Sequence, residues 1–513
     1  MPDQIEIQQL PLWDKLALSF DPTAELAFYT NHLKSALLPF WLTRSIDREH
    51  GGFFTCFDSV TGRLLAEDKY TWSQGRMVWV WAKLASMGIF APDERARFLE
   101  LARFGADFLM RRCLLPGDRC AFLMTRDGQP RPQAAEMPLD SSVYADCFVI
   151  LGLARYAAVS GDRASLDFAH RLYRSVNGRI HTGDFHTEPY PIPAGFKVHG
   201  IPMILLNTSQ ELAYGLAAHG LVAEAAEVMA AADGCLAEIR AHFVAPDGAL
   251  HEMVTLDNRF VADNLLGRYV NPGHTLEDMW FWMHQATARH APSAPVIARH
   301  TLSEARRRLA GAVEGRDEAS PAMPEIASLR PANPLPDEAR NDTHNIISAA
   351  AQITKRAFEI GWDHEYGGLL TFADQDGGPP TESMAGLEDE RMAQKVQADW
   401  GSKLWWVHSE ALYTTLLAWR LTGDEEFLAL YRRTFDYTFR TFPHPDPAVG
   451  EWIQIRDRQG RPEQRVVALP VKDPFHIIRN VAQVIDLLTE AVEVESEGEN
   501  HSQRPINLAQ RVQ

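Results

Sequence analysis

IDREHGGFFTCFDS (residues 46–59) and WDHEYGGLLTFADQ (362–375) carry one shared spacing of acids, paired glycines and an aromatic side chain. Each reads as a helix exit followed by a short hairpin. The same unit at both ends of a long chain implies a repeated architecture of helix, short ribbon and helix. Further hairpin signals stand at Asp127-Gly128, at Asp247-Gly248 and in DRQGR (457–461).

Between these turns the apolar periodicity is helical, as in WSQGRMVWVWAKLASM (72–87), VYADCFVILGLARYAA (143–158), SKLWWVHSEALYTTLLAWRL (402–421) and FHIIRNVAQVIDLLTEAVE (475–493). Several of these are apolar nearly all round, which predicts helices buried on more than one side. SGDRASLDFA near 160 and TGDEEFLALY near 422 end one helix at a Gly-Asp turn and start the next. Tandem helical hairpins closing into a ring fit this pattern. An open solenoid fits less well, since its repeats would be shorter and more regular.

Length and composition bound the rest. A chain of 513 residues suggests two or three domains unless one large toroid takes them all. The net charge of −18 argues against nucleic acid as a partner. Five widely spaced cysteines do not make a disulfide framework and fit a reducing cytosol. The start, MPDQIEIQQLPLWDKL, lacks a basic region followed by an apolar run, and no stretch reads as a membrane span. A cytoplasmic protein with no membrane partner is therefore expected. Residues 286–345 are rich in Pro and polar side chains and read as a peripheral insertion in a single domain over 1–494. Residues 495–513 read as a loose tail.

GxSxG, GxxxxGK, HExxH and GxGxxG are all missing; His251-Glu252 and His364-Glu365 lack the second histidine of a zinc helix. What remains is His, Glu and Arg at the starts of apolar helices. In GRYVNPGHTLEDMWFW (267–282), His274 and Glu277 share a helix face, so the carboxylate can fix the imidazole's tautomer; read alone, the motif favours His274 as a capping residue. In VKDPFHIIRNVAQVIDLL (471–488), Asp473 suits the N-cap, Pro474 the first helical position, and His476 and Arg479 share a face. In DWGSKLWWVHSEALYTTL (399–416), Trp405, Trp406, His408 and Glu410 crowd together, with Glu410 expected inward and the tryptophans either core or a sugar platform. In DKYTWSQGRMVWVW (68–81), Arg76 interrupts an apolar helix, so it either pairs internally or lines a wet cavity. No metal cluster is read from the sequence.

These segments, with REHGGFFTC (48–56), CAFLMTRDGQP (120–130) and IPMILLNTSQEL (201–212), resemble in order the N-acylglucosamine 2-epimerase family. The resemblance implies an all-α (α/α)6 toroid with its active site, and short β-hairpins, at one end. It implies His274 and His476 as the acid–base pair. Arg76, Glu277, Glu410 and Arg479 are the implied supporting residues and Asn207 the pocket asparagine. Tyr70, Gln74, Trp405, Trp406 and His408, inside matching stretches, are expected on the substrate. The family's proline two residues after the second histidine is Ile478 here, and its Ala-Gly after the first His/Glu turn is Asp278-Met279, so pocket shape departs. The implied substrate is a small sugar, with no cofactor required. ATP as an activator and a homodimer are family traits that no motif here places.

The implied reaction removes the C2 proton of an open-chain aldose with one histidine and returns it to the other face with the second. Arginine steadies the intervening enediolate, and imidazole suits both steps because its pKa of ~6.5 lies near neutrality. Three rivals remain: an aldose–ketose isomerase, an inverting glycoside hydrolase using Glu277 and Glu410, and a non-catalytic binding protein. The PMILLN segment favours the N-acyl sugar reading.

Overall fold

The computed structural model describes residues 20–288 and 337–499. Among these residues twelve long helices form a double ring. They are α1 (Pro22–His32, running on through Leu33–Leu37 and Leu38–Arg44), α2 (Thr71–Ser86), α3 (Pro92–Arg112), α4 (Val143–Ser160), α5 (Arg163–Thr182), α6 (Gly200–Ala218), α7 (Val222–His242), α8 (Pro272–Ala288), α9 (Asp337–Gly361), α10 (Trp405–Thr422), α11 (Glu425–Thr441) and α12 (Phe475–Glu499). The even-numbered helices α2, α4, α6, α8, α10 and α12 pack side by side in sequence, α12 returns against α2, and each has an outer partner. α7 backs α6 instead of following it into the inner circle. α3, α5, α9 and α11 back α2, α4, α8 and α10, and α1 backs α12. This is the (α/α)6 toroid expected from the sequence.

Burial explains the sorting. α4 has nearly every side chain from Val143 to Ala157 buried, whereas α5 buries one stripe that includes Leu166, Phe168, Leu172 and Val176. A helix covered on both sides must be apolar all round; one facing solvent need be so only on its inner stripe. By length and composition α4 could cross a membrane, but 78% of it lies inside the ring. The Gly-Asp turns behave as read: Gly161 and Gly423 cap their helices in the left-handed conformation, while Asp162 and Asp424 accept from the first turn of the next helix.

Short ribbons gather where inner helices begin. Lys69–Tyr70 precedes α2 and pairs with Leu123–Met124; Tyr269–Val270 precedes α8 and pairs with Ala373–Asp374; Lys403–Leu404 precedes α10 and pairs with Ile455–Arg456. The two echoed segments fold alike, through the bridges Ile46↔Phe53 and Trp362↔Leu369.

Two boundaries need correction. Both ends of the expected 286–345 insertion are helical, since α8 continues to Ala288 and α9 begins at Asp337; residues 289–336 lie outside the described residues. The chain after 494 is not loose at once, because α12 continues to Glu499; residues 500–513 lie outside the description, as do 1–19, where the absence of a leader was expected.

Candidate active site

One cavity of about 330 Å³ opens at the ribbon end of the ring. Its wall is built from the N-terminal halves of all the inner helices: Arg76, Phe148, Asn207, His274 and Glu277, Trp405 and Trp406, and His476 and Arg479. Converging helix N-termini bring their positive dipole ends toward one point, an environment that favours a developing anion. At the mouth, Tyr190 Oη (2.7 Å) and Lys395 Nζ (2.6 Å) both donate to the Val467 carbonyl, which ties two loops to the short helix Arg391–Asp399.

His274 and His476 share this hollow. Each ring lies against Trp406, with centroids 5.4 Å and 5.7 Å away. Trp406 can pack so closely because residue 273 is glycine: a Cβ there would lie 2.5 Å from the indole. The His274 backbone N–H donates to Asn271 Oδ1 at 3.2 Å, which seats it in the first turn of α8.

Each imidazole has one nitrogen on a carboxylate. His274 Nδ1 lies 2.9 Å from Glu252 Oε2, and His476 Nδ1 lies 2.7 Å from Glu410 Oε1. Glu410 also accepts from Trp280 Nε1 at 2.8 Å and Arg479 Nη2 at 2.6 Å, and Arg479 reaches Glu277 as well. Arg76 donates from Nη1 to Asp473 Oδ2 at 2.7 Å, while Asp473 Oδ1 caps the N–H of Phe475 at 2.9 Å.

These partners set different charges. Burial opposes a proton on His274, but the Glu252 carboxylate outweighs it and holds the pKa above its ordinary value. Burial also works against the Glu252 anion, yet His274 and His199 pull its pKa down to about 2. At His476 burial prevails, helped by Arg76 and Arg479 and opposed by Glu277 and Asp473, and the pKa falls to about 3. Of the two imidazoles, His274 is therefore the one that holds a proton the more readily.

Other expected residues fall elsewhere. Trp405 and Asn207 line the cavity. Glu410 is fully buried behind the wall, supporting His476 instead of facing the hollow. Glu277 lines the cavity but pairs with Arg479; the carboxylate that orients His274 is Glu252.

Three residues are corrected outright. Tyr70 packs on Phe122, with centroids 5.6 Å apart, and does not line the hollow. Gln74 accepts from the Phe53 N–H and donates to its carbonyl, both at 2.8 Å. His408 accepts from the Leu369 N–H at 2.9 Å and donates to the Leu404 carbonyl at 2.8 Å. Positions 74 and 408 lie two residues before Arg76 and Glu410, so helix geometry turns them away from the side those residues face.

Glu252 and Asp473 are the functional neighbours the sequence reading missed or undervalued. His251, the chain neighbour of Glu252, is also buried but turns to the Gly267 carbonyl at 2.9 Å. His199, Glu252 and His274, and likewise Glu277, Glu410 and His476, bring donor atoms within 4.8 Å of one another. Hydrogen bonds within each group, and the Arg479 guanidinium in the second, account for that closeness.

A helical toroid with two carboxylate-backed imidazoles and two guanidinium groups in one cavity is an arrangement suited to acid–base chemistry. The sequence profile of the family described as N-acylglucosamine 2-epimerase (GlcNAc 2-epimerase) matches residues 52–314 and 332–479. The chain belongs to the N-acylglucosamine 2-epimerase family, and is thus a sugar epimerase by class. It is 29% identical over 465 residues to the mouse N-acylglucosamine 2-epimerase, covering 88% of this chain and 89% of that one. In fold it resembles a sugar epimerase from a ruminal bacterium, with TM-score 0.63 and 17% identity over 90% of this chain and 98% of that one. It also resembles a D-mannose isomerase, with TM-score 0.61 and 14% identity over 90% and 97%. The profile leaves out 315–331, a shorter gap than the 286–345 insertion read from composition.

Proposed function

We propose that the protein interconverts an N-acylglucosamine and its N-acylmannosamine epimer, with His274 and His476 as the two acid–base groups. The observation that supports this most is that both imidazoles flank Trp406 in one cavity, each with its Nδ1 held by a carboxylate. Nδ1 being occupied directs Nε2 to the chemistry.

His476, neutral at pH 7, takes the C2 proton of the open-chain sugar. The C2–H electron pair forms the C1=C2 bond and moves negative charge onto O1. Arg76, Arg479 and the helix N-termini stabilise that oxygen in a cavity walled largely by apolar side chains. His274 then delivers its proton to the opposite face of C2, giving the epimer. The two histidines end with their roles exchanged and reset by proton exchange with solvent.

N-acetylmannosamine in deuterated water, followed by NMR, tests the reading. N-acetylglucosamine carrying deuterium at C2 is expected. With mannose in the same solvent, a ketose carrying deuterium at C1 would make the protein an aldose–ketose isomerase, and no exchange with any free hexose or N-acylhexosamine would overturn isomerase chemistry at this pair.

A further inference from the structure

Behind the His274 wall, four ionisable groups form a line from the core to the cavity. Asp278 Oδ2 lies 3.1 Å from His199 Nε2, His199 Nδ1 lies 3.6 Å from Glu252 Oε1, and Glu252 Oε2 lies 2.9 Å from His274 Nδ1. His199 and Asp278 are fully buried and neither lines the cavity. Burying a polar pair where an apolar one would fit is costly, and the reaction outlined above uses neither residue.

The geometry points to His199 as a positioning residue for His274, acting through the carboxylate they share and itself oriented by Asp278. Glu252 sits between two imidazoles, hydrogen-bonded to His274 through one oxygen and 3.6 Å from His199 Nδ1 on the other, so the His199 charge steers the carboxylate that orients the His274 ring. The inference rests on His274 being one of the acid–base groups.

The line also tunes charge. Burial opposes a proton on His199, but Asp278 and Glu252 outweigh it and lift its pKa to about 9. A cation beyond Glu252 works against a second proton on His274, whereas Glu252, and Glu277 one turn along α8, favour it. Tyr144 from α4 and Tyr269 before α8 also face Glu252, and burial keeps both phenols neutral. Cys235 from α7, near Asp278, is held neutral by burial with its pKa raised to about 12. Against the His199 ring itself lies Phe243, which carries no charge.

Opposite shifts test this. In the pH profile of kcat/KM, His199→Gln should move the alkaline limb up by about half a pH unit, because a cation that opposes the His274 proton is gone. Asp278→Asn should move it the same way, since an amide cannot hold His199 charged. Glu252→Gln should move it down, and adding His199→Gln to that variant should bring a smaller further shift than in wild type. Should His199→Gln fail to fold, Asp278→Asn decides. An unmoved limb in the folded variants, or a His199→Gln shift undiminished without Glu252, overturns the inference. His274→Asn separates the two readings: if it still turns over, the acid–base assignment falls; if it is inactive and the limb stays put, only the role of His199 falls.

Discussion

His274 and His476 are offered to the cavity in nearly the same way. Both stand in the first turn of an inner helix, both place Nδ1 on a glutamate, and both lie against Trp406. They differ in what else surrounds them. The His274 side chain is 36% exposed and dominates the charge of Glu252, whereas the His476 side chain is 9% exposed and its Glu410 is also held by Arg479 and Trp280. One pKa consequently rises and the other falls to about 3. The motif of histidine plus carboxylate does not fix a protonation state; burial and the surrounding charges do.

Removing either imidazole should have the largest effect. His274→Asn and His476→Asn are each expected to lower kcat at least 10³-fold while leaving the thermal transition within a few degrees, since general acid–base groups carry roughly 10²–10⁴ in rate. Near-normal turnover in either would break the pairing. Glu410→Gln should come next. It loosens His476 and leaves Arg479 to Glu277 alone, so kcat should fall about 10²-fold and stability by about 3 kcal/mol in denaturant titration. Loss of activity with unchanged stability would mean that Glu410 does not anchor this wall.

A smaller effect lies in the wild-type pH profile. The active pair holds a single proton, so kcat/KM should fall as pH rises through the raised pKa of His274, above the ordinary ~6.5. The acid limb belongs to His476, near pH 3, and activity should persist in acid until the fold itself fails. The profile must be identical in both directions, because the active form carries the same number of protons for either epimer. A bell with an acid limb near 6 would show that His476 keeps an ordinary pKa.

What could be read from the chain divides by range. Helices, Gly-Asp turns and the ring itself were legible because they rest on local periodicity and caps, as at Asp162 and Asp424. Positions near the starts of the inner helices, His274, His476, Arg76 and Arg479, followed from polar residues interrupting apolar runs. Glu252 and the Arg76–Asp473 pair were not legible, because packing of distant segments creates them: 22 residues separate Glu252 from His274, and 397 separate Arg76 from Asp473. Asp278 was visible only as a departure from the family pattern. His199, its partner, carried no signal at all, since nothing local marks a buried imidazole as charged.

His408 sharpens the comparison from the other side. Its pKa is also driven down to about 3 by burial, as low as that of His476, yet both its nitrogens are satisfied by backbone and it does not line the cavity. A depressed histidine is therefore not by itself a mark of chemistry. The echo in the chain explains its role. KYTWSQGR (69–76) corresponds to KLWWVHSE (403–410), with Lys69 on Asp47 at 2.8 Å and Lys403 on Asp363 at 3.0 Å. Gln74 and His408 hold equivalent places, each accepting from the N–H that follows a Gly pair, Phe53 or Leu369, where Gly52 and Gly368 adopt positive φ. The same correspondence sets Arg76 against Glu410, so the two copies share a scaffold and diverge where they meet the site. The smallest effect should follow: His408→Gln supplies the acceptor used by the other copy and should leave kcat unchanged, with stability within about 1 kcal/mol of wild type. His408→Ala leaves a buried N–H unpaired and should cost about 2 kcal/mol in the same titration. If His408→Gln instead lowered kcat at unchanged stability, a third imidazole would have to join the mechanism.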